Sequence, residues 1–210
     1  MTPWIFFESH RSEIFQATLD HLTLVVIAMA FAIAIAVPLG MLIVEHRHLR
    51  TIALGFASVF QTIPSLALFG FLIPIPFIGG IGRRTAIVAL VLYALLPILR
   101  NTYVGLNSVD PTILEAAEAM GMTTTQILLR VRLPLALSII LAGIRTATVI
   151  TIGVATIAAA IGAGGLGTFI FRGVAMVSDA VILAGAIPAA LLAIFADLLL
   201  GQLERRLKVV

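Results

Sequence analysis

From Leu22 to Val44 the chain carries no charged residue, and from Thr51 to Gly82 it again carries none. About 20 apolar residues in a helix cross the roughly 30 Å of hydrocarbon in a bilayer, so the first run makes one complete span. The second run is too long for one upright helix, and Pro64, Pro74, Pro76, Gly79, Gly80 and Gly82 break its later half. With 61% hydrophobic residues, 11% charged residues and a mean hydropathy of +1.18, the chain belongs to the membrane class and leaves no aqueous domain of useful size.

The spans can be placed in order. Residues 1–21 mix Trp4, Phe6, Phe7 and Phe15 with Glu8, Arg11, Glu13 and Asp20. Ile14, Phe15, Thr18, Leu19 and Leu22 recur at helical spacing, which predicts an amphipathic helix at the membrane surface. The leader is net acidic and lacks the basic start of a cleaved signal peptide. A transmembrane domain over 22–205 follows, with spans expected at Leu22–Val44, at about 52–73 with a kink near Pro64, at Thr85–Leu106, at Pro134–Ile161 and at Asp179–Leu203. Residues 206–210 are left as a tail. Gly162–Gly167 is expected to re-enter the membrane or line a cavity, because irregular backbone at lipid depth is tolerated only there.

The longest polar interruption, 107–134, reads NSVDPTILEAAEAMGMTTTQILLRVRLP. Asp110 before Pro111 supplies an N-cap and a residue pre-set at helical φ. Gly121 ends that helix. Thr123 and Gln126 fit a capping box that starts a second short helix reaching Leu133, and Pro134 is expected to begin a new one. If this loop is cytoplasmic, that side holds Arg47, Arg50, Arg100, Arg130, Arg132, Arg205, Arg206 and Lys208, against Arg11, Arg83, Arg84 and Arg172 outside. Eight against four satisfies the positive-inside rule.

Several function classes lack residues to rest on. The basic residues are scattered at the ends of apolar runs, which is not a nucleic-acid footprint. There are no cysteines, and the four histidines form no ligand set. Gly162, Gly164 and Gly167 match GxGxxG, but in the continuation of a membrane helix rather than a strand-to-helix turn. Lys208 is the only lysine and lies at the extreme end, so a Walker A phosphate loop is absent and no ATP site of that type exists in this chain. Arg145, inside the fourth span, reads as a snorkelling or paired arginine, with a substrate or gating charge as the alternative. Asp197, near Arg205 and Arg206, reads as a snorkelling or paired carboxylate, with a proton relay as the alternative.

Glu115-Ala116-Ala117, three residues, Gly121, nine residues, then Val131, Arg132, Leu133 and Pro134 resembles the EAA loop, EAAxxxGx(9)IxLP, of permease subunits of binding-protein-dependent ABC importers. Val131 for Ile is the one departure. Gln61–Ala67 (QTIPSLA), Tyr93–Tyr103 (YALLPILRNTY), Ala142–Val149 (AGIRTATV) and Ile161–Gly167 (IGAGGLG) are similar to the osmoprotectant branch, which imports glycine betaine, choline, carnitine or related quaternary amines. The resemblance implies an all-α, five-span type I importer core in the bacterial cytoplasmic (inner) membrane, paired with a second permease, identical or homologous. It further implies an extracytoplasmic substrate-binding protein and a cytoplasmic ABC ATPase dimer that docks on a coupling helix and binds the ATP. On it, Glu115, Ala116, Ala117, Gly121, Leu133 and Pro134 are the ATPase-coupling residues, and no catalytic, cofactor or metal residue belongs to this subunit. Thr148, Thr151 and Thr156 along the fourth span are candidates for the translocation path, against the alternative that they bond their own helix backbone. Other readings are an importer for another small solute such as an amino acid, a secondary transporter or channel, and a membrane scaffold.

The orientation has a direct test. Single cysteines at Thr124 and at Gly80 should be labelled by an impermeant thiol reagent from opposite sides of the membrane. Labelling of both from outside intact cells contradicts it.

Overall fold

The computed structural model describes residues 3–207, and every regular element among them is helical. Lys208, counted above in the tail, lies outside the described residues. A short helix α1 (Pro3–Ser9) precedes α2 (Arg11–Val44), α3 (Arg47–Thr62), α4 (Ser65–Leu72) and α5 (Arg83–Asn107). Then come α6 (Pro111–Ala119), α7 (Thr124–Ile127), a π-helical turn over Leu128–Arg132, α8 (Leu133–Ile157), a 3-10 turn over Ala158–Ile161, α9 (Gly167–Ala175) and α10 (Asp179–Arg206). Four helical stretches are long and apolar enough to cross a membrane, or five if the bent pair α3–α4 counts as one span.

The expected spans are present, with three corrections. The first concerns the amino-terminal segment. Residues 11–21 are not a separate surface helix but the outer turns of α2, whose 34 residues rise about 51 Å and so overshoot the hydrocarbon. Ile14, Ala17 and His21 turn inward onto the protein, while Phe15, Leu19 and Leu22 face out, so the apolar stripe read from the sequence is mainly the outer one.

The second correction is at Pro64, where the expected kink is a break of 106° between α3 and α4. Proline drives the preceding residue out of the helical region, and Ile63 sits at φ −70°, ψ 128°. The carbonyl of Ile63, freed at the break, accepts from the Tyr93 hydroxyl on α5. A break at lipid depth is therefore satisfied inside the protein.

The third is at Pro134, which does not restart the chain. Residues Thr124–Ile161 form one continuous helical rod of 38 residues. A proline ring collides with the carbonyl four residues back, and the widened π turn immediately before Pro134 absorbs that collision without ending the helix.

The centre of the packing is α5, held between α2 and α8. Small residues bring these axes together. An added Cβ at Gly40 would meet Thr102 Cγ2 at 2.5 Å, and one at Gly143 would meet Asn101 Cβ at 2.5 Å and the Pro97 carbonyl at 2.8 Å. At the α7 end of the bundle, Arg132 pairs with Glu45 at 3.2 Å and Arg50 donates to the Tyr103 hydroxyl. At the opposite end Arg83 pairs with Asp20, and Arg172 approaches Glu13 at 3.9 Å. These contacts sort the charged ends in the way the basic-residue count expects.

Gly143→Ala should cost about 1–3 kcal/mol, because the new methyl forces α5 and α8 apart. Gly153→Ala, on the same helix with nothing within 4 Å of the added Cβ, should be neutral or stabilising. Thermal unfolding in detergent checks the contrast.

Candidate functional site

The polar interruption folds as the sequence predicts at both of its caps. Asp110 Oδ1 accepts from the Thr112 amide at 2.8 Å and from the Thr112 hydroxyl at 2.7 Å. The hydroxyl bond first, and the amide bond second, hold the Asp110 carboxyl below its usual range. Thr123 accepts from the Gln126 amide at 3.3 Å, and the Gln126 side chain accepts from the Thr123 amide at 2.8 Å, which completes the capping box.

Between the caps Gly121 adopts φ +79°. Its amide donates to Glu118 O at 2.9 Å and that of Met122 donates to Ala117 O at 3.2 Å, the paired bonds of a Schellman ending. Nothing lies within 4 Å of the position a Cβ would take there. Glycine is required by the left-handed backbone, not by crowding.

The six residues expected to form the coupling surface divide into two sets. Glu115, Ala116, Gly121 and Pro134 are exposed, whereas Ala117 is 2% exposed and Leu133 is half-buried against the cluster of Leu106, Ala136 and Ile140. Ala117 and Leu133 therefore seat the loop on its own subunit, and the outward face belongs to Glu115, Ala116 and Ala119. Two further residues join that face: Ile113 is 43% exposed and Met120 is 75% exposed. Sequence reasoning passed over both. Both fall on the exposed side of a short loop helix, where no lipid is available to cover them.

The three candidate threonines of α8 do not share a surface. Thr148 donates to its own helix at Ile144 O (2.8 Å) and lines an apolar groove of about 320 Å³ between α2, α8 and α10. Thr151 is fully buried, with its hydroxyl 3.6 Å from Met29 Sδ on α2. Thr156 donates to Gly153 O at 2.7 Å.

Arg145 is paired, and its partners are on α10. Its Nε and Nη2 reach the two oxygens of Asp197 at 2.6 and 2.8 Å, and Nη1 reaches Glu204 at 3.3 Å. Asp197 is thus tied to Arg145 rather than to Arg205 or Arg206.

Gly162, Gly164 and Gly165 all take positive φ in the turn joining the 3-10 segment to α9. The turn lines an outer cleft of about 490 Å³ with Glu13, Gln16, Asp20 and Arg172. Gly165 lies against His21, which is wholly buried and bridges α2 to α8 through Nε2 and Ile152 O at 3.1 Å. Among the described residues no group of His, Cys, Asp and Glu is arranged to hold a metal ion.

Residues 32–209 match the family model described as binding-protein-dependent transport system inner membrane component. The chain belongs to this family of transport permeases. It is 46% identical over 203 residues to the carnitine transport permease protein OpuCD of Listeria monocytogenes, covering 96% of this chain and 90% of that one. It is 50% identical over 189 residues to the osmoprotectant import permease protein OsmW of Salmonella typhimurium, covering 89% and 88% of the two chains. Against the choline transport system permease protein OpuBB of Bacillus subtilis it is 41% identical over 202 residues, covering 96% and 92%. An inward-facing structure of the MetNI methionine ABC transporter superposes with a TM-score of 0.82 at 22% identity, over 99% of both chains, which shows the type I importer permease fold. The permease is an integral component of the inner membrane.

The Asp110 cap has a pH dependence of known sign. A carboxyl held low in the folded chain stabilises α6 fully above the ordinary carboxylate range, and that contribution is lost as pH falls through the lowered value. Amide exchange protection at Thr112–Leu114 should therefore fall in acid. Asp110→Asn should keep most of the protection without the acid loss, and Asp110→Ala should lose it at every pH.

Proposed function

We propose that this permease passes a small quaternary amine, such as carnitine, choline or glycine betaine, into the cytoplasm, driven by an ATPase dimer that docks on α6. The observation that carries the coupling role is the outward face of α6. Glu115, Ala116 and Ala119 with the exposed Ile113 and Met120 make a small, mostly apolar surface on a helix capped at both ends. Small side chains let a partner backbone approach closely, and the two apolar ones give it area to bury. The substrate class rests on the relatives, which are named for carnitine, choline and osmoprotectant import.

The same reading places the energy source elsewhere. With Lys208 as its sole lysine the chain has no phosphate loop, so on this reading a separate subunit binds and hydrolyses the ATP. Solute arrives from a separate extracytoplasmic binding protein, and a second permease, identical or homologous, completes the path. Thr148 and Thr156 are retained as path candidates on this reading. Thr151 faces α2 and serves packing.

The complex of two permease and two ATPase subunits should take up labelled carnitine, choline or glycine betaine only with ATP and binding protein present. Gly121→Val forces a β-branched residue into positive φ. It should leave the spans inserted, weaken association with the ATPase and abolish uptake, while Glu115→Ala, an exposed charge, should be milder. Co-purification with the ATPase and uptake are measured together. Normal association and uptake in Gly121→Val would show that the shape of the loop is not what couples the subunits.

A further inference from the structure

The carboxy-terminal half of α10 is held to the bundle in an unusual way. Its buried residues are Ala180, Val181, Ala184, Gly185 and Ala189 in the first half, and then only Gly201. Between Ala189 and Gly201 the helix runs past the apolar groove that separates it from α2, with Leu192, Phe195 and Leu199 on the groove wall. Leu192, Ala193 and Ala196 pack against the core only in part. Beyond them, Arg145 fixes the last turns of α10.

The contact is built, not incidental. The guanidinium makes a two-pronged bond to Asp197 and a third bond to Glu204 two turns further along the same face. Gly201 lies between them, and a Cβ there would stand 3.0 Å from Nη1 and 3.1 Å from Cζ of Arg145, so the guanidinium rests on bare backbone of α10. The other end of the connection is α8, which is continuous with α7 through the π turn. The capping box at Thr123 and the Gly121 turn join that rod directly to α6.

We propose that Arg145 is a positioning residue for transport: it locks the carboxy-terminal half of α10 to α8, so that a displacement delivered at α6 moves both spans as one body. Without the lock, α8 moves and α10 lags behind it. Hydrolysis then proceeds with little solute moved. This rests on the ATPase-coupling role of α6 proposed above.

The test uses the complete complex with ATPase and binding protein in proteoliposomes, and reads solute imported per ATP hydrolysed. Two variants are compared with wild type. Arg145→Met combined with Asp197→Leu replaces the main pair with apolar side chains, a change that usually preserves folding. Arg145→Lys keeps the charge but loses the fork. Both should assemble with the ATPase and hydrolyse ATP. Solute per ATP should fall on the order of tenfold in the double variant and less in Arg145→Lys. An unchanged ratio in any variant that assembles overturns the proposal, as does failure of both to assemble, which would make the contact a folding element only. A wild-type complex without ATP-driven uptake would instead remove the coupling reading beneath it.

Discussion

A backbone inside a bilayer has no water to bond, and each departure from regular helix must find its own partners within the protein. The architecture follows from how this chain meets that demand. At Pro64 the Tyr93 hydroxyl of α5 takes the Ile63 carbonyl. At Pro134 a π turn keeps the rod whole. In the glycine turn the Gly162 amide donates to Ala159 O at 3.0 Å and the Ala163 amide to Ala158 O at 3.2 Å, while the Ala163 carbonyl accepts from Arg83 at 3.4 Å. At Pro64 and in the glycine turn the break is thereby a point where one helix is tied to another.

The ties give the molecule a hierarchy. Around α5 the glycines at 40 and 143 allow approach close enough that a methyl group would collide, and Gly105 leaves only a crowded gap, so α2, α5 and α8 form a stiff centre. Helix α10 is different: its first half packs on α9 and the glycine turn, and its second half adds three charge-assisted hydrogen bonds to the partial packing of Leu192, Ala193 and Ala196. Directional bonds permit a discrete rearrangement that interlocked apolar side chains resist. A transport subunit needs both kinds of joint, because the path must open without the bundle coming apart.

Much of the local structure was legible in the sequence. The Asp110 cap, the Gly121 ending and the Thr123–Gln126 box depend on residues within a few positions of one another, and all three form as expected. The apolar runs likewise located the spans. Helix α9 was not assigned, since Gly167–Ala175 is short and its buried Phe169 and Gly173 have meaning only against Gly185 and Ile182 of α10. Its neighbour His21 looked like one of four unremarkable histidines, yet it is buried at the meeting of α2, α8 and the glycine turn.

The severity of a proline is another matter. Pro64 produces a 106° break and Pro134 none at all, although both interrupt apolar helices. The difference lies in what surrounds each: a hydroxyl from another helix donates to the freed carbonyl in one case, and a widened π turn absorbs the ring in the other. In the same way, composition and spacing dictated that Arg145 needs a partner, but the choice of Asp197 and Glu204 over lipid headgroups awaited the approach of α10 at Gly201. Residues near in sequence settle caps and spans because their geometry is set by a few dihedral angles. Pairings across more than fifty residues depend on how whole helices pack, and only the assembled bundle specifies that.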